Sequence, residues 1–280
     1  MKFNVACVQL SSCEDLDKNV KSLQRLVKKN LNKKIDLICL PECSPILTDS
    51  IKVVKENFKN GKLDYFLDTI KEMSISLKTF ILVGSMPFKK AKNRYLNRSI
   101  LFDRNGNQVC WYDKINLFDV VLSKNESYRE SKNYDSGDTL QVFKLPWGKI
   151  GLSICYDLRF PELFRRLNAA GAIFFSIPAA FTMTTGKAHW ESLLRARAIE
   201  NGCFVFAPAQ CGLNTENRRT FGNSMIIDPW GNIIARAKTK PTVIKAKINT
   251  EDIYKIRKTL PSVKNFDILS FKNYPVAQNK

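Results

Sequence analysis

The sequence is poor in metal-ligating side chains. Its 280 residues contain one histidine, His189, and its eight cysteines form no CxxC pair and no disulfide-like spacing. One imidazole and scattered thiols supply no ligand set for a transition metal, so we expect neither a metal site nor a cofactor. No N-terminal secretion signal precedes the cysteines, and we therefore expect reduced thiols and a cytoplasmic location.

Long apolar runs and acidic residues are also scarce. No run reaches the roughly 18 to 20 apolar residues of a membrane span, and the longest lies near "AIFFSIPAAF". Twenty-six acidic residues against 45 lysines and arginines give a net charge of +19. That charge suits nucleic acid, an acidic membrane surface or an anionic substrate. The basic residues show no helix-turn-helix spacing and no aromatic interleaving, so we expect a solvated basic surface and no specific nucleic-acid binding.

Strand-like and helix-like segments alternate along the chain. Apolar residues at helical spacing follow the strand-like runs "FNVACVQL" and "IDLICL". Asn105-Gly106 predicts a hairpin because this dipeptide accepts positive φ. Residues 140–155 predict a second hairpin, which follows a polar loop, and residues 224–238 predict a third around Asp228 to Gly231. Helices are predicted from Pro161 to Gly171 and from 189 to 201. "TVIKAKI" at 242–248 predicts a last core strand, and 250–260 a short helix.

Several strand-like runs are apolar at consecutive positions, so both of their faces must be covered. Two mixed sheets packed face to face with helices outside satisfy every run, which predicts an α/β fold, a four-layer α-β-β-α sandwich. A three-layer doubly wound sheet remains an alternative, because periodicity cannot count layers. No break in composition indicates a linker, and we interpret residues 1–280 as one domain with a polar tail from about residue 262.

Three reactive residues each follow a strand-like run: Glu42, Lys114 and Cys155. Sites of α/β proteins often form beyond the carboxyl ends of strands. Burial there raises the pKa of a glutamate and suits it to be a base, while Lys114 nearby would favour the carboxylate and a thiolate at Cys155. A structural cysteine and a simple salt bridge between Glu42 and Lys114 remain alternatives from the residues themselves.

Three segments, "LPE" at 40–42, "YDK" at 112–114 and "CYDLRFPEL" at 155–163, resemble the three signatures of the nitrilase, or carbon-nitrogen hydrolase, superfamily. The similarity extends over nearly the whole chain, from "VACVQL" to about "YKIRKTLP". The resemblance implies an α-β-β-α sandwich that forms a homodimer and hydrolyses a small anionic amide. No membrane partner is implied.

The resemblance also implies roles for individual residues. Cys155 is the expected nucleophile and Glu42 its general base. Lys114 and the backbone N–H of Tyr156 are expected to stabilise the tetrahedral oxyanion. Glu130, in "YRES", is expected to hold Lys114.

Two further residues are candidates for substrate binding. His189 lies in a segment that resembles a family helix beside the site, although a hydrogen-bonded surface histidine and a papain-like Cys155/His189 pair are alternatives. Arg159 could bind a substrate carboxylate with both guanidinium donors, or it could pair with Asp157 or Glu162.

Within the superfamily, residues 179–212 look most like the branch that hydrolyses deaminated glutathione, with omega-amidase, acting on 2-oxoglutaramate or 2-oxosuccinamate, as the alternative. Asn223 departs from that branch, where we expect histidine, and bears on the polarity of the pocket. Arg218 and Arg219 are candidates to meet a second substrate carboxylate. A non-catalytic nucleic-acid-binding protein on the same scaffold is the alternative from another class, and its binding would weaken steeply with salt.

Overall fold

The computed structural model describes residues 1–31, 34–91, 93–124 and 126–261. The polar tail predicted from about residue 262 lies outside them. The strands in these residues are β1 (Lys2–Gln9), β2 (Leu37–Cys39), β3 (Phe80–Ala91), β4 (Arg94–Phe102), β5 (Gln108–Asp113), β6 (Asp119–Ser123), β7 (Glu126–Arg129), β8 (Val142–Leu145), β9 (Gly148–Leu152), β10 (Ala172–Ser176), β11 (Phe204–Ala207), β12 (Cys211–Thr215), β13 (Arg218–Phe221), β14 (Met225–Ile227), β15 (Ile233–Arg236) and β16 (Thr242–Asn249).

The α-helices in these residues are α1 (Leu16–Asn30), α2 (Ile51–Lys59), α3 (Lys62–Leu77), α4 (Pro161–Ala169), α5 (Met183–Asn201) and α6 (Glu251–Thr259). Two short 3-10 helices, Glu130–Lys132 and Cys155–Arg159, carry candidate site residues. No helix within the described ranges is both long and apolar enough to cross a membrane.

Two six-stranded mixed sheets form the centre of the molecule. Their strand orders are β16-β1-β2-β3-β4-β5 and β15-β14-β11-β10-β9-β8. Strands β1, β2 and β3 run parallel, as do β9, β10 and β11, and the remaining pairs of both sheets are antiparallel. The parallel segments are those in which helices separate the strands, whereas β3–β4, β4–β5, β8–β9 and β14–β15 are antiparallel hairpins.

The sheets pack face to face between two layers of helices. Phe3 of the first sheet stacks on Trp147 with 4.4 Å between ring centroids, and it meets Phe174 of the second sheet edge-on at 5.3 Å. The next residue in β10, Phe175, points the other way and contacts Phe164 of α4 at 5.2 Å. Helices α1 and α3 cover the outer face of the first sheet. The predicted four-layer sandwich is confirmed, and the three-layer alternative is wrong.

Local sequence signals explain where several elements begin and end. Helix α1 starts where the Asp15 side chain accepts a hydrogen bond from the Lys18 N–H at 3.0 Å. Helix α5 ends at Gly202, which adopts a left-handed conformation with φ of 55°. In the predicted β4–β5 hairpin, Gly106 has a φ of 81°, which explains the glycine at that position.

The structure refines two parts of the prediction. The predicted last core strand, β16, lies at the edge of its sheet beside β1: it buries Val243 and Ile248 in the core, but Lys245 and Lys247 face solvent. The region read as a polar loop before the second hairpin contains the β6–β7 hairpin and the 3-10 helix Glu130–Lys132. These strands are short and mostly exposed, so they lack an apolar signal.

Candidate active site

The three residues predicted from strand ends meet at one edge of the sandwich. Glu42 follows β2, Lys114 directly follows β5, and Cys155 follows β9, and all three side chains are buried. The Lys114 ammonium lies 2.9 Å from Oε1 of Glu42 and 2.8 Å from Oε2 of Glu130. The Cys155 thiol donates a hydrogen bond to the Glu42 carboxylate. Four residues distant in sequence therefore form one hydrogen-bonded cluster.

Glu42 is held as a carboxylate. Burial pushes its pKa up, as expected, but the charge of Lys114 and the hydrogen bond from the Cys155 thiol outweigh burial, so its pKa is lowered. Its second oxygen, Oε2, accepts the backbone N–H of Ala180 at 2.8 Å. The predicted salt bridge with Lys114 thus exists, and it fixes the glutamate in the state that can accept a proton.

Cys155 is held as a thiol. Burial raises its pKa, the Glu42 charge raises it further, and the opposing effect of Lys114 is smaller. Lys114 favours the thiolate, as expected, but burial and the neighbouring Glu42 carboxylate together outweigh it. The backbone at Cys155 has a positive φ of 50°, an unfavourable conformation for a residue with a Cβ, and its N–H donates to the Pro178 carbonyl at 2.8 Å.

Asp157 holds the turn that carries the cysteine. Its buried carboxylate accepts the Ile154 N–H at 2.8 Å, the Tyr112 hydroxyl at 2.8 Å, and both the backbone N–H and the side-chain amide of Asn116 at 3.0 and 2.8 Å. These four bonds tie the 3-10 helix to the segment after β5. The strained conformation of Cys155 is thereby fixed from both sides.

Asn97 of β4 was missed by the sequence analysis. Its amide nitrogen donates to Oε1 of Glu42 at 3.1 Å and to Oε1 of Glu130 at 3.0 Å, so it bridges the two glutamates. Glu130 also accepts the Phe118 N–H at 2.7 Å. The available signal was weak, because Asn97 is followed by Arg98 and Ser99 in β4, and only the burial of its amide, which requires hydrogen-bond partners, sets it apart.

The N–H of Tyr156 is free to bind a ligand. It lies in the first turn of the 3-10 helix, where N–H groups have no partner within the helix. No acceptor for it is found among residues 1–31, 34–91, 93–124 and 126–261. The Lys114 ammonium has three N–H donors and uses two on the glutamates. Two unused donors therefore flank the nucleophile.

A cavity of about 560 Å³ opens onto this cluster. Its wall includes Glu42, Lys114, Glu130 and Cys155 together with aromatic residues and three arginines, Arg129, Arg159 and Arg218. Arg159 lies over the rings of Tyr156 and Phe181, 5.7 and 5.3 Å from their centroids. It makes no ion pair within the described part of the chain, so the predicted pairing with Asp157 or Glu162 is not formed.

His189 does not line this cavity. It is exposed on α5, and its Nδ1 lies 3.3 Å from Nη1 of Arg159. His189 therefore lies beside Arg159 and outside the cavity wall, as in the alternative of a hydrogen-bonded surface histidine. The papain-like pair is also not formed, because the hydrogen-bond partner of the Cys155 thiol is Glu42.

Two other expectations about the pocket change with the structure. Arg219 is exposed, whereas its neighbour Arg218 lines the cavity, because successive residues of β13 face opposite sides. Asn223 lies outside the cavity wall, and its side-chain oxygen accepts from Arg236. Its φ of 56° is a conformation that asparagine tolerates.

No group of three or more histidine, cysteine, aspartate or glutamate side chains in the described ranges is arranged to hold a metal ion. All eight cysteines are free thiols.

Comparison with known proteins gives a consistent result. The carbon-nitrogen hydrolase family model matches residues 4–258. A deaminated glutathione amidase from Yersinia enterocolitica is 40% identical over 263 residues, which cover 92% of this chain and 91% of that protein. The crystal structure of the Caenorhabditis elegans NitFhit protein superposes with a TM-score of 0.90 at 31% identity, covering 98% of this chain and 66% of that one. Saccharomyces cerevisiae Nit3, a member of branch 10 of the nitrilase superfamily, gives a TM-score of 0.77 at 26% identity, covering 93% and 94%.

Proposed function

Since this chain belongs to the carbon-nitrogen hydrolase family and is an amide hydrolase, we propose that it cleaves the amide of a small 2-oxo acid through a thioester on Cys155, and that deaminated glutathione is its preferred substrate. The observation that carries the mechanism is the buried Glu42–Lys114–Glu130 cluster hydrogen-bonded to the Cys155 thiol. The substrate rests on the relatives that bear the name deaminated glutathione amidase.

Acylation begins with a proton transfer. The Cys155 thiol gives its proton to Glu42 as the sulfur attacks the amide carbonyl carbon. The oxyanion that forms accepts hydrogen bonds from the third N–H of the Lys114 ammonium and from the Tyr156 N–H. Glu42 then returns the proton to the departing nitrogen as the carbon-nitrogen bond breaks, which leaves a thioester on Cys155.

Deacylation uses the same groups in reverse. Glu42 is again a carboxylate and takes a proton from the attacking water. The same two donors hold the second oxyanion until the carbon-sulfur bond breaks, and the proton on Glu42 returns to the sulfur. No histidine takes part.

Glu130 and Asn97 act as positioning residues. Glu130 shares the Lys114 ammonium with Glu42, and Asn97 ties both carboxylates together. Two carboxylates around one ammonium leave a net charge of −1, which favours the protonated lysine that an oxyanion requires. The expected result is a rigid lysine whose third N–H faces the reacting carbonyl.

Arg159 is proposed to bind the carboxylate of the 2-oxo-acid head. It lines the cavity and is four residues from the nucleophile. Its guanidinium makes no ion pair among described residues, so it can form two hydrogen bonds to one carboxylate. His189 contacts this guanidinium and is proposed to help orient it.

We further propose that the protein is one cytoplasmic catalytic domain that forms a homodimer. The family match over residues 4–258 supports a single unit, and eight free thiols suit a reducing compartment. The exposed Trp230 and Ile234, close together in the β14–β15 hairpin, are candidates for contact between subunits. Sedimentation velocity of the purified chain tests the dimer.

A competition assay tests the substrate. Purified protein is given deaminated glutathione and 2-oxoglutaramate together, and kcat/KM is measured for each. We expect deaminated glutathione to have the higher kcat/KM, with slower turnover of 2-oxoglutaramate because the 2-oxo-acid head is shared. The opposite order would assign the protein to omega-amidase. Turnover of neither would leave an amide hydrolase with another substrate.

A further inference from the structure

A second guanidinium in the cavity has unused hydrogen-bonding capacity. Nη1 of Arg218, in β13, donates to Oδ1 of Asp49 at 3.1 Å. Its Nε is buried without a hydrogen-bond partner, and no described residue accepts a hydrogen bond from its Nη2. The Nε–Nη2 edge is thus unpaired, and such an edge matches the two oxygens of a carboxylate.

The two arginines lie at the two ends of an aromatic wall. Arg218 lies 5.5 Å from the ring centroid of Tyr128, whose ring is 5.1 Å from that of Phe118. Phe118 is in turn 5.1 Å from Tyr156, over which Arg159 lies at 5.7 Å. All five residues line the same cavity. Arg159 and Arg218 therefore lie at opposite ends of an extended aromatic surface in this cavity, whose wall also carries Arg129 and Lys132.

Arg218 is at the Glu42 end of this wall. It pairs with Asp49, which lies in the segment after Glu42 and lines the same cavity, and its charge contributes to the lowered pKa of Glu42. Under the proposed function, Glu42 gives its proton to the departing nitrogen, so the departing group must lie on that side. Arg159, by contrast, is in the 3-10 helix of the nucleophile, where the acyl part is bound.

The acidic side chains near Arg218 do not occupy the Nε–Nη2 edge of its guanidinium. Asp49 is half exposed and occupies Nη1 only. Glu126 is engaged with the hydroxyl groups of Thr184 and Tyr128. Asp49 thereby holds the guanidinium in place without covering its free edge.

We infer that Arg218 determines specificity by binding a carboxylate on the departing amine. The site then prefers amides whose amine part ends in a carboxylate over primary amides that release ammonia. This inference rests on the proposed function, because the roles of Glu42 and Cys155 define which end is the departing side.

The test compares two substrates and two variants. Arg218→Gln removes the cation, and Arg219→Gln, the next residue of the same strand, is the matched exposed control. In Arg218→Gln, kcat/KM for deaminated glutathione should fall about 10- to 100-fold more than kcat/KM for 2-oxoglutaramate, mainly through KM, since a charge-assisted pair is lost. Arg219→Gln should leave the ratio of the two values unchanged. Equal losses on both substrates in Arg218→Gln would overturn the inference.

A second experiment changes the substrate instead of the protein, so its main comparison does not depend on how a variant folds. Wild-type protein is assayed with deaminated glutathione whose terminal glycine carboxylate is converted to an amide. The value of kcat/KM should fall by about the same factor, and Arg218→Gln should show little further loss on that analogue. Equal kcat/KM of the wild type on the acid and the amide would overturn the inference while leaving the proposed function intact. Turnover of neither primary nor substituted 2-oxo-acid amide would overturn the proposed function, and this inference with it.

Discussion

Nζ of Lys114 lies 2.9 Å from Oε1 of Glu42, and both side chains are almost completely buried. Burial lowers the pKa of a lysine and raises that of a glutamate, so each group would lose its charge if it were alone there. Together, with Glu130, they reverse both effects: the pKa of Lys114 is raised and that of Glu42 is lowered. The proton that must move at the start of catalysis therefore rests on the sulfur of Cys155, next to a ready acceptor.

The first prediction is a flat pH profile around neutrality. The pKa of Glu42 is below the ordinary 4.5, so Glu42 is a carboxylate at every pH above 4.5. The pKa of Lys114 is above the ordinary 10.5, so Lys114 is charged at every pH below 10.5. The measurement is kcat against pH, which should show no inflection between about pH 5.5 and 9, since His189 takes no part in proton transfer. An essential ionisation near pH 6.5 would contradict the account.

The same pair contributes to stability within the same window. Because the folded pKa of Glu42 is lowered, its contribution is present above the unfolded pKa and is lost as pH falls through the folded value. Because that of Lys114 is raised, its contribution is lost only as pH rises through the folded value. Urea midpoints should therefore show no loss from this pair between about pH 5.5 and 9. The contribution of the pair is the difference in urea midpoint between wild type and Lys114→Met. A fall in that difference between about pH 5.5 and 9 would count against the buried ion pair.

Replacing the base should abolish turnover without unfolding the protein. Glu42→Gln keeps the shape of the side chain but cannot accept a proton, so kcat should fall at least about 100-fold. The variant should stay folded, because Lys114 keeps Glu130 as a partner. Glu72→Gln, at an exposed position of α3, is the control. Steady-state kinetics and circular dichroism measure both effects, and near-normal kcat in folded Glu42→Gln would exclude Glu42 as the base.

Asn97 should matter to catalysis although it is not expected to contact the substrate. Asn97→Ala removes the bridge between the two glutamates, and we expect kcat to fall about 10-fold and the free energy of unfolding to fall by about 1 to 3 kcal/mol. Asn93→Ala, exposed in the turn between β3 and β4, provides the comparison. If Asn97→Ala changed stability and left kcat intact, Asn97 would be a structural residue only.

Arg159 is predicted to act on KM. Arg159→Lys keeps the charge but loses the paired donors of the guanidinium, so KM for 2-oxo-acid amides should rise about 10-fold while the protein remains folded. Arg166→Lys, at an exposed position of α4, is the matched control. An unchanged KM for both 2-oxoglutaramate and deaminated glutathione in Arg159→Lys would mean that another group binds the 2-oxo-acid head.

The sequence predicted much of the site because each reactive residue follows an apolar strand. The carboxyl ends of such strands can meet at one edge, which made Glu42, Lys114 and Cys155 candidates, but the resemblance to the three carbon-nitrogen hydrolase signatures was needed to select them and to add Glu130. Asn97 was missed because it lies within a strand, where an amide at one position gives no sign of its partners. The β6–β7 hairpin was missed because its exposed residues carry no apolar alternation.

The protonation of the site could not be predicted from spacing. The pKa of Cys155 depends on the difference between burial and Glu42 on one side and Lys114 on the other. Each effect varies steeply with distance and with access of water, and the sequence gives neither. The position of His189 shows the same limit, since a residue of α5 about one turn from the cavity-lining Thr185 can face either solvent or the cavity.

The most direct test of the account is rapid-quench intact-mass spectrometry during turnover. Wild type, Cys155→Ser and Cys43→Ser are compared, since Cys43 is a second thiol in the same cavity and its pKa of about 12 keeps it protonated. The account predicts hydrolysis of the amide and an acyl adduct on Cys155 in the wild type and in Cys43→Ser, with neither in Cys155→Ser. Continued hydrolysis by Cys155→Ser, or an adduct that maps to Cys43, would contradict it.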